Sequence, residues 1–494
     1  MRRAFDPQPR LDCPPINAVP LNTKCRDEII PILRALQHLY GNDQLRREIL
    51  ALVGKDVNGT TSRKHGRRGM DYWQIIVLAA VRLGCNLDYD KLQDLAEQHG
   101  NLRRIMGIGA WQKKEEQDFD WRRIRDNLTF LRPETLEKLN HLIVAAGHEL
   151  KPKAVQAVRG DTFVVETNIH YPTESSLIGD GLRKVIPLAA ALAKAYGVSG
   201  WRQQELLLQK VRGLVREISR ASRSKGKGGP ERVQRGYREL LHVAQDLLER
   251  AGQLRVTLAL RGATPLADVM LVGREKVLQH YLKLTQQVCA TARRRVLQGE
   301  TVPNEEKIFS IFEPETELIK RGKQPNPIQY GHNVLVIEDA VGFICHYEVV
   351  AKGVLDQDLV VPVMKKVQKR LGGKIKRASF DRAFHTAQNQ EALAQIVRHP
   401  CIPKKGEASG RQQQKKATVA FRQARQNHPG VESAIGALQS GNGLERCRDQ
   451  SYRGYQRYVG LGILGRNLHV LGKLLLARED ADCPAAKSRR KEAG

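Results

Sequence analysis

Residues 155–169 read VQAVRGDTFVVETNI, and the periodicity of the chain changes at this stretch. β-branched and other apolar residues dominate it, which is typical of a strand, and Pro172 shortly afterwards ends regular pairing. Asp161 lies inside the apolar run, where a carboxylate without a partner is costly to bury. The stretch therefore predicts a strand and makes Asp161 a candidate functional residue. The alternative is an acidic residue at a strand edge.

The 150 residues before this strand have helical periodicity. Apolar positions recur at helical spacing over residues 29–39 and 75–83, and a further helix opens at Pro133. Residues 75–83 and the next helix, over residues 89–99, resemble a helix-turn-helix arrangement, although a plain helical bundle explains the same pattern. We therefore predict an all-helical, DNA-binding N-terminal domain over residues 1–150.

The strand pattern is then interrupted. Residues 181–300 return to helical spacing, with a break at residues 222–230. This segment predicts a helical insertion whose function the sequence leaves open.

Strand signals resume after the insertion. They lie at residues 333–337, at residues 343–351 after a hairpin turn, and at residues 375–380. An apolar helix over residues 455–476 precedes a basic tail at residues 481–494. The predicted fold class is α/β, with a core formed by residues 151–180 and 301–480, an N-terminal all-helical domain and the helical insertion.

Charge indicates the partner. The chain has 82 Lys and Arg against 53 Asp and Glu, a formal net charge of +29. Such an excess favours a polyanionic partner, and nucleic acid is the commonest polyanion. Each phosphate that Lys or Arg neutralises releases counterions, which adds to the affinity. A merely basic surface remains the alternative. A membrane partner is not expected, because the sequence lacks an apolar run of about 20 residues and a signal-peptide core.

Cysteine usage indicates the compartment. The eight cysteines are far apart and form no CxxC pair, which disfavours a structural zinc site. A chain this long and this sparse in cysteine is also a poor disulfide scaffold. We therefore expect a cytoplasmic, nucleoid-associated protein.

Three sequence blocks resemble one enzyme family. They are residues 160–177, GDTFVVETNIHYPTESSL; residues 378–385, ASFDRAFH; and residues 430–438, GVESAIGAL. Together they resemble bacterial insertion-sequence DDE transposases, nearest the ISNCY-type group. The resemblance implies a ribonuclease-H-like catalytic core in which Asp161, Asp381 and Glu432 are the catalytic acids.

The resemblance also implies the chemistry. The three acids would hold two Mg²⁺ ions, with Mn²⁺ able to substitute, because hard cations prefer carboxylate oxygens. The reaction would be cleavage of double-stranded DNA at the element's ends and strand transfer into target DNA, by a homodimer or higher assembly. The rivals are a metal-dependent nuclease on the same core and a non-catalytic DNA-binding derivative.

Each acid has a structural alternative, and one block departs from the family. Asp381 could instead cap a turn or helix, and Glu432 could be an ordinary first-turn glutamate with Glu445 nearby. Some relatives carry Arg four residues before the last Glu, where this chain has His428. That difference weakens any assignment of the residues that grip the DNA end.

Basic residues near the blocks and in two Gly-rich segments are the candidate phosphate contacts, and a solvated charged loop is the alternative for each. They are Arg63, Lys64, Arg67, Arg68, Lys225, Lys227, Lys320, Arg321, Lys323 and Arg382.

Overall fold

The computed structural model describes residues 11–59, 69–109, 111, 119–224, 228–260, 269–320, 327–404 and 418–482. The chain forms two compact units. The core unit comprises residues 1–166 and 332–494, and the insert unit comprises residues 167–331. The predicted α/β class is confirmed. The insert unit is wider than the predicted insertion of residues 181–300, and the N-terminal helices belong to the same compact unit as most of the sheet.

The N-terminal part of the core unit is helical, as predicted. Side-chain caps begin several helices: Asn42 accepts from the backbone amides of Gln44 and Leu45, and Asp88 accepts from that of Lys91. The helices are α1 (Ile29–Gly41), α2 (Asp43–Asn58), α3 (Tyr72–Gly84), α4 (Tyr89–Gln98), α5 (Gly100–Ile105), α6 (Trp121–Leu128) and α7 (Pro133–Leu150).

The sheet is mixed. Its strands are β1 (Ala157–Thr167), β2 (Glu317–Lys320), β3 (Ile328–Asp339), β4 (Ile344–Val349), β5 (Arg377–Ser379), β6 (His399–Cys401) and β7 (Arg446–Cys447). β1 lies between β3 and β5, and β6 follows β5. β5 is parallel to both β1 and β6, whereas β4 forms the predicted hairpin with β3. β7 pairs with β1, and β2 pairs with residues 328–331.

In the described part of residues 350–482, the core unit has five further α-helices: α12 (Asp356–Arg370), α13 (Ala387–Ala394), α14 (Val419–Asn427), α15 (Gly430–Ser440) and α16 (Tyr452–Asp482). The two faces of β1 have different neighbours. Val158 belongs to the apolar cluster around α12, whereas Phe163 and Val165 share a cluster with Val431 of α15. Since side chains alternate along a strand, Asp161 lies on the face of Phe163.

Helix α16 is the central helix of the core unit. It packs against α1, α3 and α7, so the C-terminal helix completes the N-terminal bundle. Among the described residues it is the one helix long and apolar enough to cross a membrane. However, 72% of its apolar 18-residue stretch is buried in the protein. Its glycines permit close packing: a Cβ at Gly465 would lie 2.6 Å from the backbone of Gly84, and one at Gly472 would overlap the carbonyl group of Pro31.

Gly472→Ala should therefore destabilise the protein. The obstacle is backbone of α1, which cannot move aside as a flexible side chain can, and overpacking of this kind typically costs about 1–3 kcal/mol. The free energy of unfolding in urea measures the effect. Gly436→Ala is the control, because a Cβ at this helical position meets open space. Equal stabilities for the two variants would contradict the packing described.

The insert unit has its own apolar core. Its helices are α8 (Glu174–Ala195), α9 (Gln204–Arg223), α10 (Gly229–Leu260) and α11 (Val269–Ala292). Leu182, Val211, Leu247 and Leu278 are among the residues buried between them. The predicted break between α9 and α10 is confirmed. α8 begins before residue 181, because Thr173 caps it by accepting from the backbone amide of Ser176.

Candidate active site

Two of the predicted acids follow equivalent positions of adjacent parallel strands. Arg159 of β1 lies opposite Ser379 of β5. Asp161 and Asp381 each come two residues later, toward the carboxyl end of the strands. Adjacent strands are about 4.8 Å apart, and side chains two residues apart lie on the same face. The register therefore directs both acids toward one region at the end of β5.

Helix α15 lies along the same face of β1. Three residues before it begins, Nη1 of Arg159 donates to the carbonyl oxygen of Asn427, the last residue of α14, at 2.9 Å. Near its end, Nε2 of Gln439 lies 3.5 Å from the carbonyl oxygen of Val164. Gly430, the first residue of α15, lies against the guanidinium group of Arg159, which is two residues before Asp161 on the same strand face. Glu432 follows Gly430 by two residues, in the first turn of α15.

His428 is influenced by the charges of both Asp381 and Glu432. Its buried imidazole lies before α15, with Nδ1 3.3 Å from the hydroxyl oxygen of Ser379. Burial and the nearby Arg425 and Arg159 lower the pKa of His428, whereas Asp381 and Glu432 both raise it, and the net shift is downward. Both carboxylates therefore belong to the electrostatic surroundings of the His428 imidazole.

A buried ion pair supports this arrangement. Nε of Arg159 lies 2.5 Å from Oε2 of Glu338, whose side chain is 2% exposed. Burial raises the pKa of Glu338, and the charges of Arg159 and Arg466 oppose that shift. Arg159 thus holds two groups at once: a carboxylate of β3 through Nε and the end of α14 through Nη1. The pair fixes the start of α15 against β1.

Gly430→Ala tests the contact between Arg159 and the start of α15, the helix that carries Glu432. A Cβ at Gly430 would overlap the guanidinium group of Arg159, so α15 or Arg159 must shift. The obstacle is the end of a side chain rather than backbone, but moving it weakens the hydrogen bonds of Arg159 to Glu338 and Asn427, so we expect a loss of about 0.5–1.5 kcal/mol in the free energy of unfolding. Gly436→Ala in the same helix should instead gain up to about 1 kcal/mol from helix propensity. Urea denaturation of both variants measures the difference, and a Gly430→Ala variant as stable as Gly436→Ala would contradict the contact.

The acids differ in how they are already engaged. Asp381 accepts from the amide of Ala383 at 2.7 Å, so the alternative of a turn cap is realised. Oδ1 of Asp161 accepts from the amide of Thr162 at 2.8 Å. Glu432 is exposed. A carboxylate has two oxygens with several lone pairs, so the cap that Asp381 forms through Oδ1 leaves Oδ2 able to bind a cation.

The donor set fits hard divalent cations, although the three acids do not form a single tight cluster. Among the described residues, only His148, Asp339 and Cys345 have ligand atoms that all lie within 4.8 Å of one another. Two metal ions about 4 Å apart do not require all three carboxylates to lie that close together. A carboxylate that binds one ion can be farther from a carboxylate that binds the other. Asp161, Asp381 and Glu432 each offer carboxylate oxygens, which are the ligands that Mg²⁺ prefers.

The compact trio has a structural explanation. Oδ1 of Asp339 accepts from the amides of Val341, Gly342 and Phe343, and Oδ2 lies 2.9 Å from Nε2 of His148. The carboxylate therefore closes the β3–β4 turn and ties it to α7. Nitrogen and sulfur donors are also a poor set for Mg²⁺. We therefore interpret His148, Asp339 and Cys345 as residues that stabilise the fold and do not bind a metal ion.

Only two of the predicted phosphate contacts lie in the described part of the chain, and both Lys320 and Arg382 are exposed. Arg382 directly follows Asp381. The others lie outside the described residues: Arg63, Lys64, Arg67, Arg68, Lys225, Lys227, Arg321 and Lys323.

The possible helix-turn-helix receives little support. α3 is buried along nearly its whole length. α4 exposes Asp90 and Asp94 against the single cation Lys91, and Glu97 is half-buried. Negative charge on a recognition helix would repel phosphates. The geometry therefore disfavours α4 as the DNA-reading helix.

Comparisons with models of protein families, with curated proteins and with solved structures find no match for this chain. Its own residues and their geometry are therefore the grounds for a functional assignment. Sequence reasoning missed Arg159 and Glu338. One signal was available: Arg159 shares a strand face with Asp161, two residues before it.

Proposed function

We propose that the chain is a DDE-type DNA transposase with a ribonuclease-H-like core. The mixed α/β sheet is compatible with such a core: the β3–β4 hairpin lies beside the parallel strands β1, β5 and β6, and helices α12 and α13 connect β4 to β5 and β5 to β6. The order of the acids along the chain also agrees with the family that the three sequence blocks resemble.

One observation carries the proposal. Asp161 and Asp381 each lie two residues beyond a paired position of adjacent parallel strands, and α15, which carries Glu432, contacts Arg159 on the strand face of Asp161. These acids would hold two Mg²⁺ ions, and Mn²⁺ would substitute. When bound, such ions activate the attacking water or hydroxyl and neutralise charge on the phosphate. The chain's own contribution is to hold the carboxylates in place and, through the exposed Arg382, to contact the DNA backbone.

The same site would serve both stages of the reaction. Hydrolysis at the element's end and attack of the freed 3′-hydroxyl on target DNA are both in-line displacements at phosphorus. The partners on this proposal are double-stranded DNA ends and target, held by two or more copies of the chain in the cytoplasm.

A strand-transfer assay tests the proposal. The purified chain is incubated with Mg²⁺, a target plasmid and a labelled duplex carrying the DNA that flanks its coding region. Labelled oligonucleotide joined to the plasmid is the expected product. Cleavage without joining would assign a nuclease instead. Duplex binding with neither cleavage nor joining would assign a non-catalytic DNA-binding protein.

A further inference from the structure

Helix α9 of the insert unit carries a straight row of arginines, which we call the arginine stripe: Arg212, Arg216, Arg220 and Arg223. Their spacings of four, four and three residues place all four within about 80° of the helix circumference, because an α-helix turns about 100° per residue. All four side chains are exposed. The stripe is about 16 Å long at about 1.5 Å per residue.

The stripe has no part in holding the insert unit together. The buried face of α9 is a different one, formed by Leu208, Val211, Leu214 and Ile218. Within the described residues, no carboxylate lies within ion-pair distance of any of the four arginines. Four exposed like charges along one line repel one another, which is unfavourable for the free protein. A polyanionic ligand would remove that repulsion.

The nearest acids of α9 lie off the stripe. Glu217 points about 100° away from the middle of the row around the helix axis. Glu205 lies about two helical turns before Arg212, the first residue of the row. No acid of α9 therefore interrupts the row between Arg212 and Arg223. Long runs of one sign raise the local concentration of anionic ligands.

We propose that the arginine stripe binds the phosphate backbone of duplex DNA. Phosphates of one strand follow one another about every 3.4 Å along the duplex axis, so the row spans about five of them. Arginine suits this role because its planar guanidinium group pairs with phosphate oxygens through two parallel hydrogen bonds. The contact would be independent of base sequence.

Other partners fit less well. A protein interface or a membrane would need apolar side chains beside the charges. On α9 the one large apolar side chain exposed among the described residues is Leu206, 59% exposed in the first turn and before the row begins. The stripe is therefore matched to a partner that is charged along its whole length.

The stripe deepens the proposed function by giving the insertion a DNA-holding role, and it is tested without catalysis. Affinity of the full chain for a 30-base-pair duplex of arbitrary sequence is measured in EDTA across a range of salt concentrations. The test variant replaces all four arginines with glutamine. The matched control replaces four other exposed cations of the insert unit with glutamine: Lys194, Arg274, Lys276 and Lys283.

The stripe variant should bind at least about tenfold more weakly, and the slope of log K against log[salt] should fall by about 3 to 4, since each contact contributes about 0.9. A second variant with four lysines should keep most of the affinity, because the charge remains. Equal losses in the stripe and control variants would overturn the proposal, as would a lysine variant as weak as the glutamine one. Failure of strand transfer with this binding pattern intact would refute only the transposase assignment.

Discussion

Replacing Asp161 with asparagine should abolish DNA strand cleavage and joining, with a loss of at least about a thousandfold, as removal of a metal-binding or charge-stabilising group does in other enzymes. The substitution keeps the size of the side chain and removes its charge. Affinity for duplex DNA in EDTA should stay within about twofold, because phosphate contacts come from cations elsewhere in the chain. Single-turnover cleavage of a labelled duplex with Mg²⁺ measures the first effect.

Glu166→Gln is the matched control. Glu166 lies on the same strand, and it pairs with Arg446 at 2.9 Å instead of facing the other two acids. A half-exposed ion pair of this kind contributes little, so cleavage should change by less than about threefold. Cleavage that survives in Asp161→Asn, or that is lost equally in Glu166→Gln, would remove Asp161 from the catalytic assignment.

The parts of the fold that could be predicted are those set by neighbouring residues. Strand β1 was found from β-branched residues and a following proline, and the β3–β4 hairpin from a turn between two strand patterns. Asp381 at the end of a strand followed from the same local reading. Each depends on contacts within a few residues of the chain.

The parts that could not be predicted depend on contacts between distant segments. Arg159 pairs with Glu338, 179 residues away, and the residue pattern of neither strand indicates this pairing. Helix α16 packs among the N-terminal helices, which is why residues 1–150 share a unit with the sheet. His428 was noticed only as a departure from a family pattern, whereas its position beside Ser379 depends on how α14 meets β5.

A second buried ion pair makes the strongest prediction about stability. Nη2 of Arg82 in α3 lies 2.6 Å from Oδ1 of Asp449, and Oδ2 of the same carboxylate lies 3.4 Å from Arg457. The side chains of Arg82 and Asp449 are only 2% and 7% exposed. Burial lowers the pKa of Arg82 and the Asp449 charge raises it, with a net upward shift. Arg82 therefore stays charged in the interior and depends on Asp449.

Asp449→Asn should lower the free energy of unfolding by about 3–5 kcal/mol, because it leaves buried arginine charge without a counterion. Tyr89, whose ring lies 4.0 Å from the Arg82 guanidinium, can offset only part of that cost. Urea denaturation gives the value, and Asp43→Asn is the control. The Asp43 side chain is 73% exposed and pairs with Arg46 at 2.7 Å, so its loss should cost less than about 1 kcal/mol.

Adding Arg82→Met to Asp449→Asn should recover part of the stability, since it removes most of the uncompensated charge and leaves a flexible apolar side chain in its place. Recovery distinguishes an electrostatic cost from a packing defect, because a double variant limited by packing would be less stable than either single one. A loss below about 1 kcal/mol in Asp449→Asn would mean that water reaches Arg82. The junction of α3 with the segment before α16 would then be looser than its burial indicates.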